Sequence, residues 1–180
     1  AGAGTYRILI KPSAAPRAVS GINSNSLIRL DGADRATIDG WSGATLGSGP
    51  GGSATRDLTI TNTAAISVSV VSIVNANGNP AQNDTIQNAN VVGNIVENAG
   101  VITGTQAAVA IGGVSPGPDN DNNHILSCLI KNAKYGIDTT GESPSNPNTG
   151  TRIERNDLNA AGLQRLRFVG ITTQNESGIQ

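Results

Sequence analysis

The chain has 180 residues, a formal net charge of −1 and a pI near 5.7, a balance that gives no electrostatic pull toward nucleic acid or an acidic membrane surface. Aromatic residues make up 2% of it, so a core has to be built from Val, Ile, Leu and Ala, which suits thin layers. Its 23 glycines and 8 prolines stay below the level that reads as disorder, and no run approaches the ~18 apolar residues of a membrane span, so an ordered, turn-rich chain without membrane insertion is expected.

The amino end, Ala1-Gly2-Ala3-Gly4-Thr5, carries neither Met nor a basic-then-apolar signal pattern and reads as a mature or excised piece. Thr5 to Lys11 is a short strand-like run stopped by Pro12, which cannot donate to a ladder. After small and polar residues at 13–26, Leu27-Ile28-Arg29-Leu30 predicts another brief strand, closed by the turn signal Asp31-Gly32. Gly32-Ala33-Asp34-Arg35-Ala36-Thr37-Ile38-Asp39-Gly40 follows, and its Thr-Ile step, fenced by polar and turn residues, sets the pattern for the rest. Residues 41–55 are rich in Gly, Ser and Pro and predict a loop inside one domain, because the same pattern resumes directly after them. Residues 1–180 are therefore expected to form a single domain, a segment of a longer repeat array.

The step returns as Thr59-Ile60-Thr61-Asn62 and Thr85-Ile86-Gln87-Asn88, and more loosely as His124-Ile125-Leu126-Ser127 and Arg152-Ile153-Glu154-Arg155, with the isoleucines 22, 26, 39 and 28 residues apart. A second ladder, Ser69-Val70-Val71, Val109-Ala110-Ile111, Tyr135-Gly136-Ile137 and Val169-Gly170-Ile171, is spaced at 40, 26 and 34. The two long intervals share residues 86–111, which places one insertion, a bulging loop or an extra strand, near 93–106. Short strands in repeating units bounded by Gly, Asn and Asp, without helical periodicity, predict a coiled solenoid of parallel strands. A β-sandwich would instead show hairpin signals with clean alternation. Ile38, Ile60, Ile86, Ile125 and Ile153 become the expected inward column, with Asn62, Asn88 and Asn132 placed for hydrogen bonds between rungs. Counting back from Ile38 and Ile60 sets Asp34 beside Arg56 and Arg35 beside Asp57.

Gly32-Ala33-Asp34 with Thr37-Ile38-Asp39-Gly40, then Arg56 to Thr63, Asn83 to Ile86 and Tyr135-Gly136-Ile137, resemble the β-helix segments of very large secreted bacterial surface proteins of the adhesin-like type. The resemblance implies an all-β, right-handed parallel β-helix (β-solenoid) with irregular rungs of about 22–40 residues. It further implies an extracellular or cell-surface, elongated, non-enzymatic module, a stalk or spacer with ligand contact confined to loops at 41–55, 93–106 and 139–150. Two alternatives come from other classes. One is a polysaccharide-active β-helix enzyme, a lyase or hydrolase, or its substrate-binding part; the other is a self-assembling fibre subunit whose open ends stack.

A glycan-cleaving site needs ionisable groups gathered on one face. The residues after the column isoleucines are Asp39, Thr61, Gln87, Leu126 and Glu154, so the two acids fall four rungs apart, on the order of 19 Å, and read as solvated strand positions. The residues before them, Thr37, Thr59, Thr85, His124 and Arg152, form a polar row without an acid. Three threonines in that row are too few and too interrupted for an ice-binding lattice, and His124, the sole histidine, lacks a nucleophile and acid partner. In the second ladder Asp138 aligns with Ser72, Gly112 and Thr172 and has no partner acid. Asp119-Asn120-Asp121 is the best cluster of hard oxygen ligands and makes Asp119 and Asp121 the calcium candidates. His124 and Ile130 stand where an EF-hand needs Gly and Glu, which favours an ordinary Asn/Asp turn. Trp41, on a Gly/Ser loop, is the candidate for stacking on a sugar ring. Cys128 stands alone, which excludes a disulfide framework and a zinc site and predicts a small buried residue at a turn. The structural reading requires no cofactor, with calcium at Asp119 and Asp121 the one candidate, and the partners expected are a surface glycan or a second copy end to end.

Overall fold

The computed structural model of the chain describes residues 7–43, 56–75, 78–112 and 120–180. Its strands are β1 (Ile8–Ile10), β2 (Arg17–Gly21), β3 (Ser26–Asp31), β4 (Ala36–Asp39), β5 (Leu58–Asn62), β6 (Ser67–Val74), β7 (Thr85–Gln87), β8 (Ala89–Val92) and β9 (Ile95–Asn98). They continue as β10 (Val101–Ile111), β11 (His124–Leu126), β12 (Leu129–Lys131), β13 (Tyr135–Thr140), β14 (Asn148–Thr149), β15 (Arg152–Glu154), β16 (Val169–Gln174) and β17 (Glu176–Ser177). Among the described residues the only helical element is a 3-10 turn at Gly162–Gln164.

Strands adjacent in space are distant in sequence. A first sheet runs β1-β4-β7-β11-β15, a second β2-β5-β8-β12 and a third β3-β6-β10-β13-β16. Every pairing along these paths is parallel. The chain enters the three sheets in the same order on each pass, and on the last pass it touches the second sheet only through a bridge from Asp157 to Leu129. The all-β, parallel-strand character expected from the repeats is present, and the antiparallel sandwich is excluded.

The first sheet aligns Ile10, Ile38, Ile86, Ile125 and Ile153, residues 28, 48, 39 and 28 apart. Ile60, expected in that column, belongs to the second sheet, in register with Val19, Val91 and Ile130. One pass is therefore longer than the expected 22–40 residues. The local pattern misleads for a physical reason: an inward aliphatic between outward polar residues, closed by a turn, suits a strand of either sheet. The expected charge register falls with it. Asp34 bridges to Gln82 and ion-pairs with Arg35 at 3.8 Å, Arg56 Nε donates to the Ser127 carbonyl, and Asp57 accepts from the Ser42 hydroxyl.

In the third sheet Val71, Val109 and Ile137 align, continued by Ile28 and Ile171. Val109-Ala110-Ile111 thus sits two residues away from its expected register, and Asp138 faces Ala110 and Thr172 instead of Gly112. The insertion anticipated near 93–106 is an extra strand: β9 pairs antiparallel with the start of β10. The turn between them, Ala99-Gly100, has φ of 49° and 81°, the doubly positive geometry of a tight hairpin.

Between the sheets lies a core of aliphatic columns. Ile38, Ile60, Ile86, Ile125, Ile130, Ile137, Val71, Val91 and Val109 are completely buried, each stabilising by about 1.5–3 kcal/mol through removal from water. On the last three passes the bend from the first sheet toward the second turns on a residue in the left-handed region, Asn88, Ser127 and Arg155, with φ of 53°, 55° and 54°. Asparagine tolerates that region better than most residues, which accounts for its place at such corners. The three asparagines singled out from sequence do bond between passes, although to carbonyls and a carboxylate and not to one another. Asn62 Nδ2 reaches the Asn23 carbonyl at 2.8 Å, Asn132 Nδ2 the Gly93 carbonyl at 2.8 Å and Asn88 Nδ2 the Asp39 carboxylate at 3.0 Å.

Candidate functional site

Three residues before the aligned isoleucines of the first sheet stand Arg7, Arg35, Asn83 and Asn122. Arg35, Asn83 and Asn122 share a left-handed backbone, with φ of 63°, 58° and 55°, so successive passes turn the same corner and present their side chains alike. One residue before the isoleucines, Thr37, Thr85 and His124 are in register and half-buried on the outer face of the sheet. The two columns line an open groove of about 520 Å³. It crosses four passes, on the order of 14 Å at strand spacing.

The groove has a sign. Arg7 and Arg35 supply cations, and no carboxylate is among its described lining residues. Asp34, beside Arg35, also accepts a hydrogen bond from Asn83 Nδ2 at 3.1 Å. His124 has its pKa lowered, first by burial and then by the charge of Arg152, the next residue of its column, so its imidazole is neutral near pH 7. Arg152 itself is paired with Glu154 at 2.6 Å.

The carboxylates considered from sequence are dispersed and committed to structure. Asp39 and Glu154 lie three passes apart, one fewer than expected once Ile60 leaves the column, which is roughly 14 Å and still too far for joint action on a glycosidic bond. Asp39 is also not a solvated strand residue: it is fully buried and accepts from the Trp41 amide, Gln87 Nε2 and Asn88 Nδ2 at 3.1, 2.9 and 3.0 Å. Asp138 accepts from the Thr172 hydroxyl at 2.8 Å. Asp121 accepts from the Thr149 amide at 2.6 Å, a contact to the next pass of chain, while Asp119, its partner as a calcium candidate, lies outside the described residues. Among the described residues no three His, Cys, Asp or Glu side chains gather in a metal-binding group. Trp41 is half-buried and lies over Gly43 so closely that a Cβ there would collide with the indole; residues 44–55 of its loop lie outside the described residues.

Two further carboxylates were not anticipated. Asp84 Oδ1 accepts from the Ala36 amide at 2.7 Å, Oδ2 is buried without a partner, and burial pushes the pKa up to about 6. On the following pass Asn123 takes the equivalent role, its Oδ1 accepting from the Asp84 amide at 2.9 Å while its Nδ2 donates to the Ala81 and Asn120 carbonyls. Glu176 accepts from Asn148 Nδ2 and the Thr151 hydroxyl, both at 2.8 Å, and its pKa is raised by burial. Cys128 is buried as expected, with its thiol pushed up to about 12.

Sequence reasoning carried the offset of three residues only from Ile38 to Ile60, setting Arg35 beside Asp57, and so missed the column of Arg7, Arg35, Asn83 and Asn122. Its signal was available as a constant offset of three residues, once Ile10 is admitted to the ladder and Ile60 removed. Comparison of the chain with protein-family models, with curated proteins and with solved structures yields no match.

Proposed function

We propose that the chain is a stack of rungs of a right-handed parallel β-helix and serves as a non-enzymatic extracellular module, a surface stalk or an adhesive spacer. The observation that carries this reading is where the buried polar side chains are used. Asp39, Asn62, Asp84, Asn88 and Asn123 hold one pass of chain against another, and none of them converges with a second ionisable group on an open face. Such an arrangement builds length and rigidity, which a spacer requires. The test is a degradation assay on polyuronates and neutral glycans. No product is expected; product that disappears in an Asp121→Asn, Asp138→Asn double variant would establish a glycan-active enzyme instead.

A second reading, a self-assembling fibre subunit, is favoured by one observation. Among the described residues β1, β2, β3 and β16 each pair on one side only, and Ile8, Ile22, Val169 and Ile171 are exposed at those two ends.

A further inference from the structure

We propose that the groove on the outer face of the first sheet binds a linear acidic polysaccharide, with carboxylates of the glycan held by Arg7 and Arg35 and its hydroxyls by Thr37, Thr85, Asn83 and Asn122. The proposal rests on the non-enzymatic reading above and gives it a ligand class and a site. The groove is basic against its background, since its lining holds two guanidinium groups, Arg35 paired with Asp34 at its edge and Arg7, and no carboxylate of its own, in a chain whose net charge is −1. It is also periodic: each pass contributes residues at the same two offsets from its isoleucine, at strand spacing of about 4.8 Å, so a ligand with regularly repeated polar groups meets equivalent partners along it. Hydroxyl and amide groups of Thr37, Thr85, Asn83 and Asn122 both donate and accept, as sugar hydroxyls do. No Phe, Tyr or Trp is among the described lining residues, so stacking of a nucleobase is confined to the His124 imidazole and the two guanidinium groups, a poor platform for single-stranded nucleic acid. The open form of the groove admits a chain laid along it, with affinity accumulated from several weak contacts and weakened by salt.

The test is calorimetric titration of the 180-residue chain with polygalacturonate, with its fully methyl-esterified neutral form, and with poly(dT). Three variants accompany it, each checked by circular dichroism: Arg7→Gln combined with Arg35→Asn, Asn122→Arg alone, and Arg17→Gln on the exposed second-sheet strand. Arg35→Asn suits the left-handed backbone already occupied by asparagine on the next two passes. The expected result is binding of polygalacturonate, at least tenfold weaker binding of the ester, at least tenfold loss in the double variant, several-fold gain in Asn122→Arg and no change in Arg17→Gln. Failure to bind polygalacturonate, equal binding of the ester, or affinity untouched by the double variant would overturn the proposal. So would poly(dT) binding as tightly and losing affinity in the same variant, which would mark an unselective polyanion surface. Product formation during the titration would instead sink the non-enzymatic reading, so the two failures are distinguishable.

Discussion

Ile86 shows what a single residue contributes here, because it is enclosed by Ile38 on one side of the sheet and Ile125 on the other as well as by the facing sheets. Ile86→Ala is expected to cost about 2–5 kcal/mol, whereas Thr85→Ala, on the outer face, should be close to neutral; urea midpoints that moved equally would remove Ile86 from the core. Asp84 makes a prediction of opposite character. Its carboxyl holds a proton more tightly folded, at about 6, than unfolded, at 3.8, so between those values the folded state binds more protons and stability falls as pH rises. The loss is on the order of 3 kcal/mol and is complete above the folded value. Asp84→Asn, which places at this position the residue already used at Asn123 one pass on, should remove that part of the pH dependence and be more stable than the native chain at pH 7. Denaturation curves at pH 4 and pH 7 for both proteins decide it. Cys128, with its thiol pushed up to about 12 and no solvent exposure, should resist a disulfide reagent in the native state and react once urea unfolds the chain.

At the scale of elements, strands of three to six residues form lasting sheets because each is clamped by parallel neighbours and its corners leave no room for error. Gly40 illustrates the constraint. A Cβ there would collide with the Asn88 carbonyl oxygen and lie 2.6 Å from its carbon and 2.7 Å from Ala89 Cα, all backbone of the next pass. Gly40→Ala should therefore force the second and third passes apart and cost at least ~2 kcal/mol, read as a lowered midpoint; an unchanged midpoint would show that the corner can shift freely. β9 is a different kind of element, added to the third sheet through its hairpin with β10 without belonging to the parallel path. Glu97 on β9 reaches Arg167 at 3.5 Å, which ties this projection to the last pass across the top of the sheet.

For the molecule as a whole, repeated passes create two ends, at which β1, β2 and β3 on one side and β16 on the other each pair, among the described residues, with one neighbouring strand. Ile8 and Ile22 at one end and Val169 and Ile171 at the other are between 41% and 82% exposed, an apolar surface beside free strand edges. The isolated chain is expected to associate as concentration rises, and Ile171→Lys to weaken that association by placing a charge on the edge. Sedimentation velocity over a hundredfold concentration range is the measurement; a monomer throughout would count against end-to-end contact.

The sequence by itself determined that this is an all-β chain of repeated short parallel strands with an aliphatic interior, since a Thr-Ile step between turn residues, few aromatics and many asparagines leave little else that could bury its surface. It also located the inserted strand, because two interval lengths overran in the same stretch. Only the tertiary structure decided which sheet each repeat enters. Ile60 and Ile86 carry the same local pattern, and the choice between first and second sheet rests on how far the chain has travelled since the previous corner, a distance set by loops and not by the step itself. The groove follows from that assignment: Arg7, Arg35, Asn83 and Asn122 are separated by 28, 48 and 39 residues and become neighbours only once Ile10, Ile38, Ile86 and Ile125 are stacked.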